Sequence, residues 1–283
     1  YLEKKNNNFS AQGGPASGWE ITRTRDEKII GTGDYVFDVG GIHDADKNRF
    51  DHHQIGGAGS RLIHGTEIEY AAFGLVWKKF GLELCGQQKI VDRLDRKLVA
   101  PIDADDNGFS LFDKKYKVSP FLMQDFFFLM RPTWKESPEN FDKNFLKAVD
   151  VAKEVLARSI AHGRDTVEAE ERIVQAYKNA EDKRIIVLDN YCPSGDALDD
   201  LPEPLFTIYP RVSKNERQSE WCVKAIGQEG KDLANKKDLP SSWAGLRDEE
   251  LQKASGVPDA IFCHRGLFMA VAKSKEGAIK LAE

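Results

Sequence analysis

The sequence lacks several features that assign a protein class at once. It contains no apolar run near the roughly 20 residues that a membrane-spanning helix requires, since its most apolar stretch, Phe126–Met130, is far shorter. Its four cysteines form no CxxC pair, which argues against a zinc knuckle or a redox dithiol. Reduced thiols are typical of the cytoplasm, and we expect that location. No repeat of solenoid or propeller length is present.

Positive charge is also scarce. The formal net charge is -5, and residues 1–137 carry 19 basic and 20 acidic side chains against 22 and 26 over residues 138–283. Neither half has the basic surplus that non-specific binding of long duplex nucleic acid demands. Aromatic residues make up 10%, enough to exclude a disordered chain. The 283 residues predict one large or two medium domains.

The first residues carry no secretory signal, because Tyr1–Lys5 is followed by Asn6–Asn8 and not by an apolar core. The chain also has no initiating methionine. We therefore expect that it starts partway into a longer polypeptide or that its first residues were left out.

The first half alternates strand-like and helix-like segments after a Gly/Ser/Pro-rich loop at Gln12–Gly18. The predicted strands are 19–24 and 35–39, and the predicted helices are 68–80, closed by Gly81, and 87–100. The second strand is apolar throughout and ends at Gly40-Gly41. Such alternation predicts an α/β fold with a parallel sheet covered by helices.

The second half begins with a long helical pattern. Ser137 followed by Pro138 is typical of a helix start, an apolar stripe continues from Phe141 to Ile160, and Gly163 is a predicted bend. Five strand-like runs and a short final helix after Ser274 then predict a smaller α+β domain. These runs are 185–188, 205–209, 221–225, 260–263 and 267–271. The predicted domains are 1–137, a helical connector over 138–180, and 181–283.

Three acidic clusters follow predicted elements of the first half: Asp38, Asp51-His52-His53 and Asp103–Gly108. Ligands of open α/β sheets bind at the carboxyl ends of strands. Carboxylates with imidazoles give a mixed oxygen and nitrogen ligand set suited to Mn²⁺ or Mg²⁺, and two ions roughly 3.5–4 Å apart can clamp a phosphoryl transfer. Asp38 and Asp106–Gly108 alone are more often turn chemistry, and Asp51–His53 alone would be a solvated surface loop. The three together indicate metal binding.

The ordered set of motifs carries a resemblance that covers nearly the whole chain. Its segments are Asp38–Gly41, Arg49–Gln54, Ile102–Gly108, Arg131–Trp134, Asp238–Arg247, Gly256–His264 and Lys273–Ala278. In this order they resemble the Myg family of DHH-superfamily phosphoesterases, once described as metal-dependent protein hydrolases and now regarded as exonuclease-like. Protein hydrolysis has no support here, since neither an HExxH motif nor a serine-triad signature occurs.

The resemblance implies a DHH-type parallel α/β domain, a helical connector and a C-terminal α+β domain that closes over the substrate. It implies a 3′–5′ exonuclease on single-stranded RNA or short oligonucleotides, with water activated by Mn²⁺ or Mg²⁺, two ions in the complete protein, attacking phosphorus. The implied metal ligands are Asp38, His52 and one or both of Asp103 and Asp106. Asp106 is slightly favoured, because Asp-Asn-Gly resembles the superfamily's Asp-Thr-Gly motif.

Two catalytic roles are also implied. Asp51 would orient an imidazole, and His53 would contact the scissile phosphate or assist the leaving oxygen. Candidate substrate-binding residues are Arg131, His264, Arg265 and Lys273. Trp134 and Trp243 are predicted as packing anchors, with base stacking as the alternative. A Cys263 nucleophile beside His264 is rejected, because adjacent strand residues point to opposite faces.

The sequence departs from the family at its start, where a His-x-Gly-x-Phe-His-x-Asp-type motif that supplies further metal ligands is missing. Pro101 stands where relatives often have an acid, and Ser194–Asp196 replaces a Trp-Lys-Glu-like segment. Two alternatives therefore stay open: a non-catalytic nucleotide- or RNA-binding module, and a hydrolase of small phosphate compounds. The sequence leaves the oligomeric state open.

Overall fold

A computed structural model describes residues 2–4, 20–113, 117–137, 139–193, 197–198, 201–212, 219–228 and 234–283. The predictions for Gln12–Gly18, Trp19, Pro138 and Ser194–Asp196 lie outside these residues. The chain divides into two compact units, Tyr1–Arg164 and Asp165–Glu283. None of the helices in the described part of the chain combines the length and apolar character needed to cross a membrane.

The first unit contains a mixed sheet with the strand order β2-β1-β3-β5-β4. Its strands are β1 (Leu2–Lys4), β2 (Glu20–Thr22), β3 (Tyr35–Phe37), β4 (His43–Asp44) and β5 (Arg49–Phe50), with helix α1 (Glu27–Thr32) between β2 and β3. Only β3 and β5 pair in parallel. The prediction of a parallel sheet therefore holds for this pair alone. A single 3₁₀ turn joins β4 to β5, and so short a reversal permits only antiparallel pairing.

The predicted helix over 68–80 starts later than expected. Residues before it form the hairpin β6 (Ser60–Ile63) and β7 (Thr66–Glu69), and helix α2 runs over Ala72–Cys85. His64 and Gly65 both have positive φ, as a two-residue hairpin turn requires. Gly81 lies inside α2 and does not end it. Packing explains the glycine, because a β-carbon there would press on Trp77 and Val91.

The third acidic cluster is helical where a loop was predicted. Helix α3 (Gln88–Leu94) continues through a π-helical turn over Asp95–Val99 into α4 (Ala100–Asp106). Pro101 lies just after the π-helical turn, where its missing N–H interrupts the helical hydrogen-bond ladder. Asp103 therefore lies within a helix, and Asp106 is the last residue of that helix.

Two further helices complete the first unit: α5 (Met123–Leu129) and the start of α6 (Asn140–Asn179), which continues into the second unit. Gly163, the predicted bend, lies within the continuous helix α6. A β-carbon at this glycine would lie 2.7 Å from Leu94 Cδ1 and 3.1 Å from Ile90 Cγ2. Glycine here permits close packing of α6 on α3.

The second unit has a mixed sheet in the order β11-β12-β10-β9-β8, in which only β8 and β9 are parallel. Its elements are β8 (Ile185–Val187), β9 (Phe206–Val212), β10 (Ser219–Ala225), α7 (Asp248–Ser255), β11 (Ala260–Cys263), β12 (Met269–Ala272) and α8 (Lys275–Ala282). All five predicted strands overlap these strands. Trp243 packs in the core with Ile208 and Val223, which confirms its prediction as a packing anchor. Both units are thus mixed α and β.

Candidate metal centre

The parallel pair β3–β5 brings two of the predicted acidic clusters together. Val36 lies opposite Arg49 and Phe37 opposite Phe50, so Asp38 and Asp51 follow neighbouring strands at the same edge. The Asp38 N–H continues the ladder by donating to the Phe50 carbonyl at 3.0 Å. Asp38 then turns into the left-handed region with φ +61. Such a backbone is costly for a residue with a side chain and is concentrated at functional sites.

The Gly40-Gly41 turn supports this edge. Both glycines have positive φ, and the Gly41 N–H donates to Asp51 Oδ2 at 2.6 Å. Asp51 Oδ1 accepts from the His52 and His53 backbone N–H groups at 2.8 and 3.1 Å. Burial opposes ionisation of Asp51, but these donors prevail and lower the pKa of its carboxyl. Asp51 is therefore a buried anion that shapes the loop.

Asp51 orients His53 in particular. Its Oδ1 lies 2.6 Å from His53 Nδ1, and this hydrogen bond raises the pKa of the His53 imidazole. The His53 side chain is 61% exposed, so its other ring nitrogen is open to solvent. This arrangement presents a proton donor at the surface, held in place by a carboxylate.

His52 is buried, and its two ring nitrogens have different partners. Nδ1 lies 3.1 Å from Asn107 Oδ1. The Asn107 amide nitrogen donates to the carbonyls of Glu69 and Asp103, so its oxygen faces the imidazole and accepts the Nδ1 proton. In the neutral tautomer that this contact selects, Nε2 is the unprotonated nitrogen.

The free nitrogen of His52 points at two carboxylates. Its Nε2 lies 3.3 Å from Asp38 Oδ1 and 3.2 Å from Asp106 Oδ2. Neither contact has hydrogen-bond geometry, since His52 Nε2 and Asp38 Oδ1 are both buried without a hydrogen-bond partner. Burial, and then the charge of Asp106, raise the pKa of Asp38. The His52 Nε2 nitrogen thus meets one oxygen from each of two carboxylates.

A divalent cation would compensate these groups. Buried acceptors without a donor are costly, whereas oxygen and imidazole ligands together suit Mn²⁺ or Mg²⁺. One ligand atom each from Asp38, His52 and His53 lies within 4.8 Å of the others. A metal-binding imidazole usually donates its second N–H to an oxygen, as His52 does to Asn107. The residues present therefore fit a metal ion.

Asp103, predicted as a rival ligand, is used elsewhere. It is 0% exposed, with Oδ2 2.7 Å from Arg61 Nη2 and Oδ1 3.0 Å from the Gly74 N–H. Burial raises the pKa of Asp103 to about 6, although the Arg61 guanidinium opposes that shift. A β-carbon on Gly74 would overlap the Asp103 carboxylate. Helical structure thus turns Asp103 into the core and leaves Asp106 beside His52.

Two residues that shape this region, Asn107 and Arg61, were not predicted from the sequence to do so. Asn107 was predicted only as turn chemistry, and Arg61 was not singled out. Arg61 contacts Asp95 as well as Asp103, with Nε 3.2 Å from Asp95 Oδ2, and its guanidinium stacks 4.5 Å from the Tyr70 ring centroid. No local pattern indicates the contact of Asn107 with His52, because the two residues are 55 positions apart in the sequence.

A cavity of about 1110 Å³ adjoins this centre in the first unit, and Asp38, Val39, Arg131 and Trp134 are among the residues that line it. Trp134 is 89% exposed. Its prediction as a packing anchor is therefore wrong, because the turn at Arg131–Glu136 leaves the indole outside the core.

The remaining substrate-binding predictions fall in the second unit, after strands β11 and β12. The His264 ring lies 4.4 Å from the Phe268 ring, and its Nδ1 accepts from the Gly266 N–H at 3.0 Å. Arg265 and Lys273 are exposed. Cys263 is fully buried, and burial raises the pKa of its thiol to about 11, so the rejection of a cysteine nucleophile agrees with its surroundings.

The fold and site define an α/β protein with a candidate centre for a divalent cation. The family model MYG1_exonuc, described as an uncharacterised protein family (UPF0160), matches residues 15–283. The chain belongs to this family.

Several curated proteins are similar over most of this chain. MYG1 exonuclease of Rattus norvegicus is 30% identical over 294 residues, covering 93% of this chain and 76% of the rat protein. MYG1 exonuclease of Homo sapiens is 29% identical, covering 93% and 77%. A MYG1 protein of Schizosaccharomyces pombe is 27% identical, covering 94% and 88%. No solved structure matches significantly.

Proposed function

We propose that the chain is a metal-dependent phosphodiester hydrolase that removes nucleotides from the 3′ end of single-stranded RNA or short oligonucleotides. The observation that carries the proposal is the buried pair His52 Nε2 and Asp38 Oδ1, which face each other without a hydrogen-bond donor. Relatives named MYG1 exonuclease support a nuclease-type activity. A DHH-type origin of the first unit is supported by Asp38 and His52 following adjacent parallel strands.

The proposed ligands are Asp38, His52 and Asp106, and the ion is Mn²⁺ or Mg²⁺ because oxygen donors predominate. When bound, such a cation would acidify a water molecule and neutralise charge on phosphoryl oxygens. A two-ion centre would need ligands in addition to these three. Asp103 is omitted, since Arg61 and the Gly74 N–H occupy its carboxylate.

His53 supplies the proton chemistry of the proposal. The Asp51 carboxylate holds its Nδ1–H and favours the protonated ring. The exposed Nε2–H then donates to the scissile phosphate or protonates the leaving oxygen. Asp51 does not touch the substrate in this scheme, so it is a positioning residue.

Phosphate contacts away from the reacting bond are proposed for exposed cations of both units. Arg131 is the candidate in the first unit, and Arg265 and Lys273, with His264, are the candidates in the second. A cation in the centre reverses the local sign of charge, so the net charge of -5 does not oppose an anionic substrate.

The test is stepwise shortening of 5′-labelled single-stranded RNA from its 3′ end with Mn²⁺, with Mg²⁺ or with a chelator. We expect activity with either cation, none with chelator, and none for His52→Gln. His64→Asn is the matched control, because His64 is an exposed histidine in the β6–β7 turn and should keep full activity.

The same preparation separates the alternatives. Tight RNA binding without turnover would favour a non-catalytic binding module. Hydrolysis of pyrophosphate or cyclic dinucleotides with intact RNA would favour a small-phosphate hydrolase. Full activity of His52→Gln would overturn the proposed metal centre.

A further inference from the structure

The cavity beside Asp38 has an apolar rim of unusual exposure. Trp134 is 89% exposed, Leu129 69% and Phe128 64%, and all three line this cavity. Large apolar side chains clustered at a surface mark a binding site. Exposed aromatic rings of this kind are the platforms on which unpaired bases stack.

The same cavity carries positive charge. Arg25 and Arg131 line it, and among the described residues neither forms an ion pair. The Arg131 guanidinium lies 5.3 Å from the Phe128 ring centroid, which keeps its charge next to the aromatic rim. Arg23 also lines the cavity but pairs with Asp142 at 3.1 Å. An anionic, partly aromatic occupant matches these side chains.

The cavity is continuous with the candidate metal centre, because Asp38 and Val39 belong to its wall. Its volume of about 1110 Å³ exceeds the roughly 300–1,000 Å³ typical of pockets for small ligands. A chain of nucleotides therefore suits it better than a small phosphate compound does.

We infer that this cavity is a nucleotide subsite, in which Trp134 stacks a base of the single strand and Arg131 binds a backbone phosphate next to the scissile bond. The inference rests on the proposed function and extends it, since it assigns recognition of the unpaired strand to the first unit. A second copy of this chain covering the apolar rim is the rival occupant.

Binding without turnover tests the subsite. The probe is a fluorescein-labelled hexa-adenylate in chelator, measured by anisotropy. Trp134→Ala should weaken binding about 5- to 150-fold, the range that loss of one stacked base implies, and Trp134→Phe should restore most of it. Tyr191→Ala, another exposed aromatic residue, is the control and should change little.

Salt dependence tests the arginine. A phosphate contact to single strands contributes about 0.7 to the slope of log affinity against log salt. Arg131→Gln should reduce the slope by about that amount, while Lys117→Gln, an exposed cation outside the cavity lining, should leave it unchanged.

Kinetics separates failure of the subsite from failure of the proposed function. Trp134→Ala should raise KM on RNA and leave kcat at saturating RNA nearly unaltered. Unchanged RNA binding by Trp134→Ala in a protein whose metal-dependent turnover is intact would overturn the subsite alone. A dimer that Trp134→Ala converts to monomer, with RNA binding unaffected, would instead assign the rim to a second copy.

Discussion

Two clusters of carboxylates in the first unit differ in how their charge is compensated. Asp103 and Asp95 share the guanidinium of Arg61, so the protein itself supplies a permanent cation to this cluster. Asp38 and Asp106 lie beside His52 Nε2, and His53 Nδ1, 3.9 Å from Asp38 Oδ1, is hydrogen-bonded to Asp51. The first cluster has a permanent cation from the protein, whereas the second has only imidazoles beside its carboxylates. Compensation, more than the number of acids, distinguishes a structural cluster from a binding site.

The largest effect is expected at the uncompensated cluster. Asp38→Asn keeps the size and the left-handed backbone that asparagine tolerates but removes a ligand charge. We expect kcat/KM on single-stranded RNA to fall about 1,000-fold or more, since changes one shell further out already cost about 10–100-fold. Thermal unfolding without cation should change little or rise, because repulsion with Asp106 is relieved. Retained activity would contradict the assignment.

At the cluster around Arg61 we expect a substitution to lower stability, whereas at Asp38 we expect it to lower activity. Arg61→Met leaves Asp103 and Asp95 without their cation in a buried place, and such loss typically costs about 3–5 kcal/mol of folding free energy. Denaturant unfolding measures it. Arg49→Met, at a partly buried arginine that makes only carbonyl contacts among the described residues, is the comparison and should cost much less.

The pKa of Asp103 gives a pH signature. In the folded state the pKa of Asp103 is about 6, above the ordinary pKa of 3.8, so the folded state binds the proton more tightly than the unfolded state. Stability from this group is present below pH 4 and is lost as the pH rises through 6, by up to about 3 kcal/mol. Unfolding of wild type and Asp103→Asn at pH 4 to 7 measures it. A difference between the two proteins that does not vary with pH would refute the shift.

The smallest expected effect concerns the tautomer of His52. Asn107→Ala removes the oxygen that accepts the Nδ1 proton, and we expect Mn²⁺ affinity measured by calorimetry to fall about 10–100-fold. Asn190→Ala, an exposed asparagine of the second unit, serves as the control. Equal affinity of the Asn107 variant and the control would remove Asn107 from the site.

The sequence allowed part of this site to be predicted. Asp38 and Asp51–His53 were expected to lie together because each follows a strand of one sheet, and β3 and β5 are indeed adjacent and parallel. The choice between Asp103 and Asp106 was not decidable from spacing. It depends on α4 being helical and on Arg61, 42 residues away from Asp103 in sequence, reaching the buried face.

Other predictions were wrong because tertiary structure, and not a local sequence pattern, decides the feature. The antiparallel strands of the first sheet are only two or three residues long, too short to show a periodic pattern. Trp134 is large and aromatic, which favours burial on average, and only tertiary structure shows that its turn lies outside the core. In the second unit the strands show clear apolar runs, and their predictions overlapped the observed strands.

One turn of α4 contributes to both clusters. Asp103 points inward to Arg61 and Asp106 lies beside His52. The Asp103 carbonyl also accepts a hydrogen bond from the Asn107 side-chain amide. The anchor and the chelating end of this helix therefore move as one body. Damage at Arg61, which touches no proposed ligand, should loosen the cation as well as the core. A substitution at Arg61 should therefore lower the proposed activity although none of the proposed metal ligands is changed.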